Sequence, residues 1–230
     1  MSELPDLGDV ALPPTWFSPV ARLVVTVARR RFECHVSGLE HVPLQGPVIV
    51  ASNHTGYLDG PLLFSVLPRR LHALVKEDMF DSTLGHLLKH AGQIRVDRRN
   101  YDLHAVKQCL KVLERGGVLG IYPEGARGRG DVATTKGGAA YLALVSGAPI
   151  VPVACLGTRA DGADTSSMPP RGSRLDTVFG APLSFDKVPW PRTRKQVADV
   201  QAEVHRALAT HVARACEMTG QAFPALPADS

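Results

Sequence analysis

Short apolar runs, each bounded by glycine or proline, alternate through the middle of the chain with longer segments whose apolar residues recur every three or four positions. Val48-Ile49-Val50-Ala51 follows Gly46-Pro47, and the segments 71–75, 93–96, 118–122, 150–156 and 175–179 continue the series. Runs this short suit buried strands better than helices. Between them, 101–115 places Leu103, Val106, Leu110 and Leu113 on one helical face, with Asn100 as the N-cap and Gly116-Gly117 as the stop. A short helix over 138–146 ends at Gly147. The longest helix, 193–218, carries a stripe of Val197, Val200, Val204, Leu208, Val212 and Ala215 and stops at Thr219-Gly220.

Strands alternating with helices predict an α/β fold in a single domain: a central, mostly parallel or mixed sheet flanked by helices. That domain is expected over 33–218, with an N-terminal extension over 1–32 and a loose tail over 219–230. There is no internal repeat, linker or low-complexity block. The length of 230 residues is ample for one core and thin for two. With 44% hydrophobic residues and a net charge of only +4, the chain is not intrinsically disordered.

Charge is uneven. Residues 16–32 hold Arg22, Arg29, Arg30 and Arg31 and no acid, beside Trp16, Phe17 and a run of valines. The apolar part is too short to span a bilayer core of ~30 Å. As an amphipathic helix it either lies in a membrane interface or packs on the protein's own core. No run approaches 18 apolar residues, so a multi-spanning protein is excluded. The first residues carry Glu3, Asp6 and Asp9 and no basic residue, unlike a secretory signal, and the expected location is the cytoplasm. Cys34, Cys109, Cys155 and Cys216 form no C-x-x-C pair, which argues against a disulfide scaffold or structural zinc. The histidines show no metal-ligand spacing, and no basic stripe interleaved with aromatics marks a nucleic-acid binder.

Three loops that follow predicted strands concentrate reactive side chains. In open α/β sheets functional groups gather beyond the carboxyl ends of strands. Asn53-His54-Thr55-Gly56-Tyr57-Leu58-Asp59 follows the first. If the turn after His54 is helical, the Asp59 carboxylate folds back to one imidazole nitrogen and leaves the other as a general base. The alternative is a capping aspartate beside an unrelated histidine. Arg95 and Arg98 bracket the end of 93–96, where a guanidinium suits a phosphate or the strand end is simply solvated. Tyr122-Pro123-Glu124-Gly125-Ala126-Arg127-Gly128 turns sharply after 118–122. It presents Glu124 and Arg127 on a glycine-rich loop where Gly125 offers an unobstructed N–H, or it is an ordinary βα loop with a Glu–Arg pair. Lys136, before the 138–146 helix, adds a cation. Ile150-Val151-Pro152-Val153 carries no reactive group, and its proline predicts a sheet edge or a break.

Taken in order, these blocks resemble those of the glycerolipid acyltransferases, the bacterial 1-acyl-glycerol-3-phosphate acyltransferases and relatives. The N-H-x-x-x-x-D block matches Asn53, His54 and Asp59; a G-x-I-x-x-x-R strand matches Gly92, Ile94 and Arg98; F-P-E-G-T-R-S matches 122–128; V-P-V matches Val151-Pro152-Val153. The resemblance implies an O-acyltransferase of phospholipid biosynthesis. His54 would be the base, Asp59 its partner, and Asn53 a supporting residue. Arg98, Glu124, Gly125, Arg127 and Lys136 would bind the phosphate-bearing acceptor. It implies an acyl thioester co-substrate, acyl-CoA or acyl carrier protein, with no metal or other cofactor. It also implies peripheral contact with the inner face of the cell membrane through the N-terminal helix and basic patch. Acceptors other than 1-acyl-glycerol-3-phosphate, namely another lysophospholipid or glycerol phosphate, stay open, because Ala126 and Gly128 replace two hydroxyl residues. A non-catalytic lipid-binding module is the alternative from another class.

Overall fold

The computed structural model describes Leu7, Val10, Thr26 and residues 30–83, 85–100 and 102–226. Most of the predicted N-terminal helix lies outside them. Seven strands form one sheet: β1 (Glu33–Ser37), β2 (Val48–Ser52), β3 (Leu71–Lys76), β4 (Ile94–Val96), β5 (Val118–Ile121), β6 (Ile150–Leu156) and β7 (Arg174–Phe179). Their order is β1-β7-β6-β2-β5-β3-β4. Only the β6–β7 pairing is antiparallel. The helices are α1 (Asp59–Val66), α2 (Gly85–His90), α3 (Leu103–Glu114), α4 (Gly138–Ser146) and α5 (Arg194–Thr219).

Strand β2 shows why its sequence is apolar throughout. Alternate residues leave a strand on opposite faces. Ile49 and Ala51 join the core made with α3, α4 and α5, while Val48 and Val50 join a second core closed by Leu63 of α1 and Phe179. Both faces are covered, so no polar position is left. Leu7 also packs in the first of these cores.

Several expectations need correction. Helix α3 starts at Leu103, and its N-cap is Asp102, whose side chain accepts the Ala105 N–H at 2.9 Å; Asn100 instead donates to Asp97. Leu103 sits at the open first turn and is 72% exposed, whereas Ala105 and Cys109 are buried. Strand β6 is central, so Pro152 is not on an edge. It occupies a break: the β6–β7 register ends at Val153↔Phe179, and beyond it Gly180 donates to the Pro152 carbonyl. The missing N–H therefore costs no ladder bond. The tail after α5 is not loose over its described length. The Ala225 N–H donates to Asp161, Gln221 donates to Asp176, and Phe223 packs on the cluster around Leu208.

Strand β1 and helices α1 and α2 are additional to the expected elements. β1 is an exposed edge strand without an apolar run. α1 opens with Asp59-Gly60-Pro61, poor helix formers that its first turn tolerates. α5 matches its forecast closely: Thr193 and Gln196 form a capping box, and Gly220 closes the helix in the left-handed conformation.

Candidate active site

Strands β2, β3, β4, β5 and β6 run parallel, so their carboxyl ends share one edge of the sheet. All three sequence-flagged loops leave from that edge. A fourth, Gly157-Thr158-Arg159 after β6, joins them.

His54 Nδ1 lies 2.7 Å from Asp59 Oδ2. The Asp59 carboxylate is fully buried and surrounded by donors. Oδ2 also accepts the N–H groups of Thr55 (2.7 Å) and Gly56 (3.0 Å), while Oδ1 accepts the hydroxyls of Thr55 (3.3 Å) and Thr158. An acceptor at Nδ1 fixes the tautomer: the proton sits on Nδ1 and the Nε2 lone pair is free. The local fold follows from the sequence. Asp59 is the first residue of α1, and the turn of 55–58 wraps its backbone donors around the carboxylate, where the first-turn N–H groups favour negative charge.

The glycine-rich loop grips the His54 peptide from both sides. Glu124 Oε1 accepts the His54 N–H at 2.8 Å, and the Gly128 N–H donates to the His54 carbonyl at 2.9 Å. Asn53, fully buried, staples the loop below. Its Oδ1 accepts the Cys155 N–H, and its Nδ2 donates to the carbonyls of Cys155 and Gly130. The forecast of a free Gly125 N–H fails, because it donates to the Tyr122 carbonyl at 3.0 Å to close the turn. Gly125 is needed for another reason. Its φ is +77°, and a Cβ would stand 2.6 Å from Cε of Lys136, whose stem crosses it. Gly130 is tighter still: at φ +72°, its Cβ would lie 2.2 Å from Thr55 Cγ2. Gly130→Ala is expected to cost about 2 kcal/mol or more in urea unfolding, since neither the backbone nor the buried threonine can yield.

Burial pushes the Glu124 carboxyl up to about 7, aided by the charges of Asp131 and Asp59 and opposed by the His54 N–H bond. A carboxyl raised in the folded state stabilises the fold below its ordinary value of 4.5 and loses that contribution as pH rises through about 7. Glu124→Gln keeps the acceptor for the His54 N–H but removes the titration. Its Tm relative to wild type should rise between pH 4.5 and pH 7, then level off. Parallel Tm profiles would contradict this.

The basic residues separate by partner. Arg95 pairs with Glu77 at 3.1 Å and is spent at the rim. Arg98 makes no ion pair or hydrogen bond among the described residues; burial and the neighbouring charge of Arg127 push its guanidinium down, against the pull of Asp78. Arg127 lies over the Tyr57 ring, 5.1 Å from its centroid, and donates to the Thr165 carbonyl at 3.1 Å. The Glu124–Arg127 pair of the alternative reading is not formed, since Glu124 is engaged by His54. Two adjacent guanidiniums without a carboxylate ion pair favour an anion between them. Arg127 is also within electrostatic range of Tyr122, whose ring stacks on His54. Arg127 lies over Tyr57 in the turn between His54 and Asp59, which brings that guanidinium to the same sheet edge as the imidazole.

Sequence reasoning missed Thr158 and Arg159. Arg159, only 4% exposed, donates to the carbonyls of Ala163 and Gly128 and so bolts the glycine-rich loop to the segment after β6. The signal was available: Thr158 and Arg159 follow a fifth strand in the position that flagged the other loops. A cavity of about 430 Å³ between β6 and α5, lined by Pro152, Leu183, Arg206 and His211 among others, contains none of these site residues. Among the described residues no group of three or more His, Cys, Asp or Glu could hold a metal ion, and no helix is long and apolar enough to cross a membrane.

Known proteins resemble this chain in sequence and in fold. A 1-acyl-sn-glycerol-3-phosphate acyltransferase of Bacillus subtilis is 33% identical over 120 residues, 51% of this chain and 60% of that one. The corresponding enzyme of Borreliella burgdorferi is 31% identical over 127 residues, covering 54% of this chain and 51% of the relative. The human beta form is 34% identical over 119 residues, 46% of this chain and 40% of its own. The chain thus spans about three fifths of the Bacillus relative and less of the others. The crystal structure of PlsC, the 1-acyl-sn-glycerophosphate acyltransferase of Thermotoga maritima, has the same fold. It superposes with a TM-score of 0.63 at 18% identity over 83% of this chain and 79% of that one. The family model described as Acyltransferase matches residues 33–156, from β1 to the end of β6. More than half of the sequence lies inside that match, together with His54, Asp59, Arg98 and the glycine-rich loop, so the chain belongs to the acyltransferase family.

Proposed function

We propose that the protein moves a fatty acyl group from an acyl thioester to the free hydroxyl of 1-acyl-glycerol-3-phosphate. The observation that supports this best is the 2.7 Å His54–Asp59 contact at the sheet edge that also carries the unpaired Arg98 and its neighbour Arg127. His54 Nε2 takes the hydroxyl proton as the oxygen attacks the thioester carbonyl carbon. Asp59 stabilises the imidazolium through Nδ1. The tetrahedral adduct collapses, the C–S bond breaks, and the leaving sulfur takes the proton back from Nε2. Arg98 and Arg127 take the acceptor phosphate, and Lys136, whose stem crosses Gly125, adds a further cation at the glycine-rich loop. Glu124 serves this reading by holding the His54 backbone.

The donor is acyl-CoA or an acylated carrier protein, and no metal or other cofactor takes part. The lipid substrates call for a bilayer surface. The cationic 16–32 segment is the docking edge in this reading, with the protein on the inner face of the cell membrane. Ala126 and Gly128, which carry no hydroxyl, favour as a second reading a different lysophospholipid or glycerol phosphate acceptor.

An acceptor panel with one acyl-CoA, read by mass spectrometry, tests the proposal. The expected product is phosphatidic acid, with thiol release that requires the acceptor. Release at the same rate without any acceptor would overturn it in favour of thioester hydrolysis.

A further inference from the structure

We infer that two tyrosine rings divide the tasks of the site, Tyr122 positioning the base and Tyr57 positioning a phosphate cation; this rests on the acyl-transfer reading above. The Tyr122 ring stacks on the His54 imidazole with centroids 4.1 Å apart and planes 21° from parallel. Its hydroxyl is buried and has no hydrogen-bond partner among the described residues. The chemistry at this position therefore comes from the ring face, not from the phenol oxygen. A flat ring against the imidazole blocks rotation out of the Asp59 plane. When Nε2 takes up a proton, the π face also attracts the imidazolium charge that forms only as the reaction proceeds. An interaction that strengthens along the reaction belongs in kcat.

Tyr57 does the same for a different group. Its ring carries the Arg127 guanidinium at 5.1 Å while the Thr165 carbonyl holds one edge of the fork. That leaves the remaining N–H groups for an anion shared with Arg98, whose guanidinium the charge of Arg127 helps to push down. The phosphate makes and breaks no bond in the transfer and keeps its charge throughout, so its contact belongs in the acceptor KM.

Steady-state kinetics on the full chain, with acyl-CoA and lysophosphatidic acid in mixed micelles, separate the two tasks. Tyr122→Leu should lower kcat about tenfold with both KM values unchanged. Tyr57→Leu should raise the acceptor KM about five- to tenfold with kcat and the donor KM unchanged. Tyr122→Phe and Tyr57→Phe keep the ring and should both retain wild-type constants. Tyr122→Met fills the ring's space without a π face and replaces the leucine variant if that folds poorly. In a His54→Ala background, Tyr122→Leu should have no further effect. A wild-type rate for His54→Ala overturns the base reading and the Tyr122 limb with it. A dead His54→Ala enzyme, with both tyrosine variants moving the same constant or the phenylalanine variants as impaired as the leucine ones, overturns the division alone.

Discussion

His54→Ala is expected to lower acyl transfer by about 10²- to 10⁴-fold while leaving the fold and acceptor binding in place. The imidazole is 13% exposed and stacks on Tyr122, so its removal leaves a small cavity beside that ring, while the N–H groups of Thr55 and Gly56 still hold the Asp59 carboxylate and the local fold. What is lost is proton removal from an alcohol that is a weak nucleophile toward a thioester while protonated. Acceptor-dependent thiol release measures the rate, and binding of lysophosphatidic acid to the variant measures the rest. Transfer near the wild-type rate would remove His54 from the chemistry.

Asp59 gives the second large effect, and two substitutions there should diverge. Asp59→Ala deletes the acceptor for His54 Nδ1, the N–H groups of Thr55 and Gly56, and two threonine hydroxyls in a fully buried position. Hydroxyls rotate to other partners, but N–H groups do not, so destabilisation of about 3–5 kcal/mol is expected. Asp59→Asn behaves differently. The amide oxygen can take the Oδ2 position and keep all three nitrogen donors. Its NH₂ then faces the two hydroxyls, which turn to accept. The fold should lose about 1 kcal/mol or less. The tautomer of His54 survives, but the charge opposite the imidazolium is gone, and kcat should fall by about 10- to 10²-fold. Urea unfolding and kcat on the two variants check this. Equal destabilisation by Ala and Asn would contradict the hydrogen-bond arrangement.

The residues that lie within one chain segment were the ones legible in the sequence. Val48–Ala51 and Ile150–Leu156 read as strands because both faces of each are covered, which leaves an unbroken apolar run. Residues Asn53 to Asp59 could be read because their contact is local, spanning five positions. β1 was hidden because its stability comes from backbone pairing with β7, more than a hundred residues away, and its side chains face solvent. α1 was hidden by Gly60 and Pro61, which argue against a helix on propensity although a first turn accepts them. The clamp on His54 was illegible for a related reason. That Glu124 would spend its carboxylate on the His54 N–H depends on how two loops 70 residues apart meet. No spacing rule encodes that. Thr158 and Arg159 lacked a motif, and only their place after a parallel strand marked them.

The most direct measurement is the preference for a phosphorylated acceptor. It is the ratio of kcat/KM for lysophosphatidic acid to that for the monoacylglycerol of the same chain, in the wild type and in Arg98→Ala/Arg127→Ala. Each charge-assisted phosphate contact contributes about 1.5–3 kcal/mol. The expected result is therefore a ratio that falls at least 100-fold in the double variant, while turnover of the monoacylglycerol, which depends on His54 and Asp59, is retained. A ratio unchanged by loss of both guanidiniums would contradict a base and a phosphate site sharing one pocket.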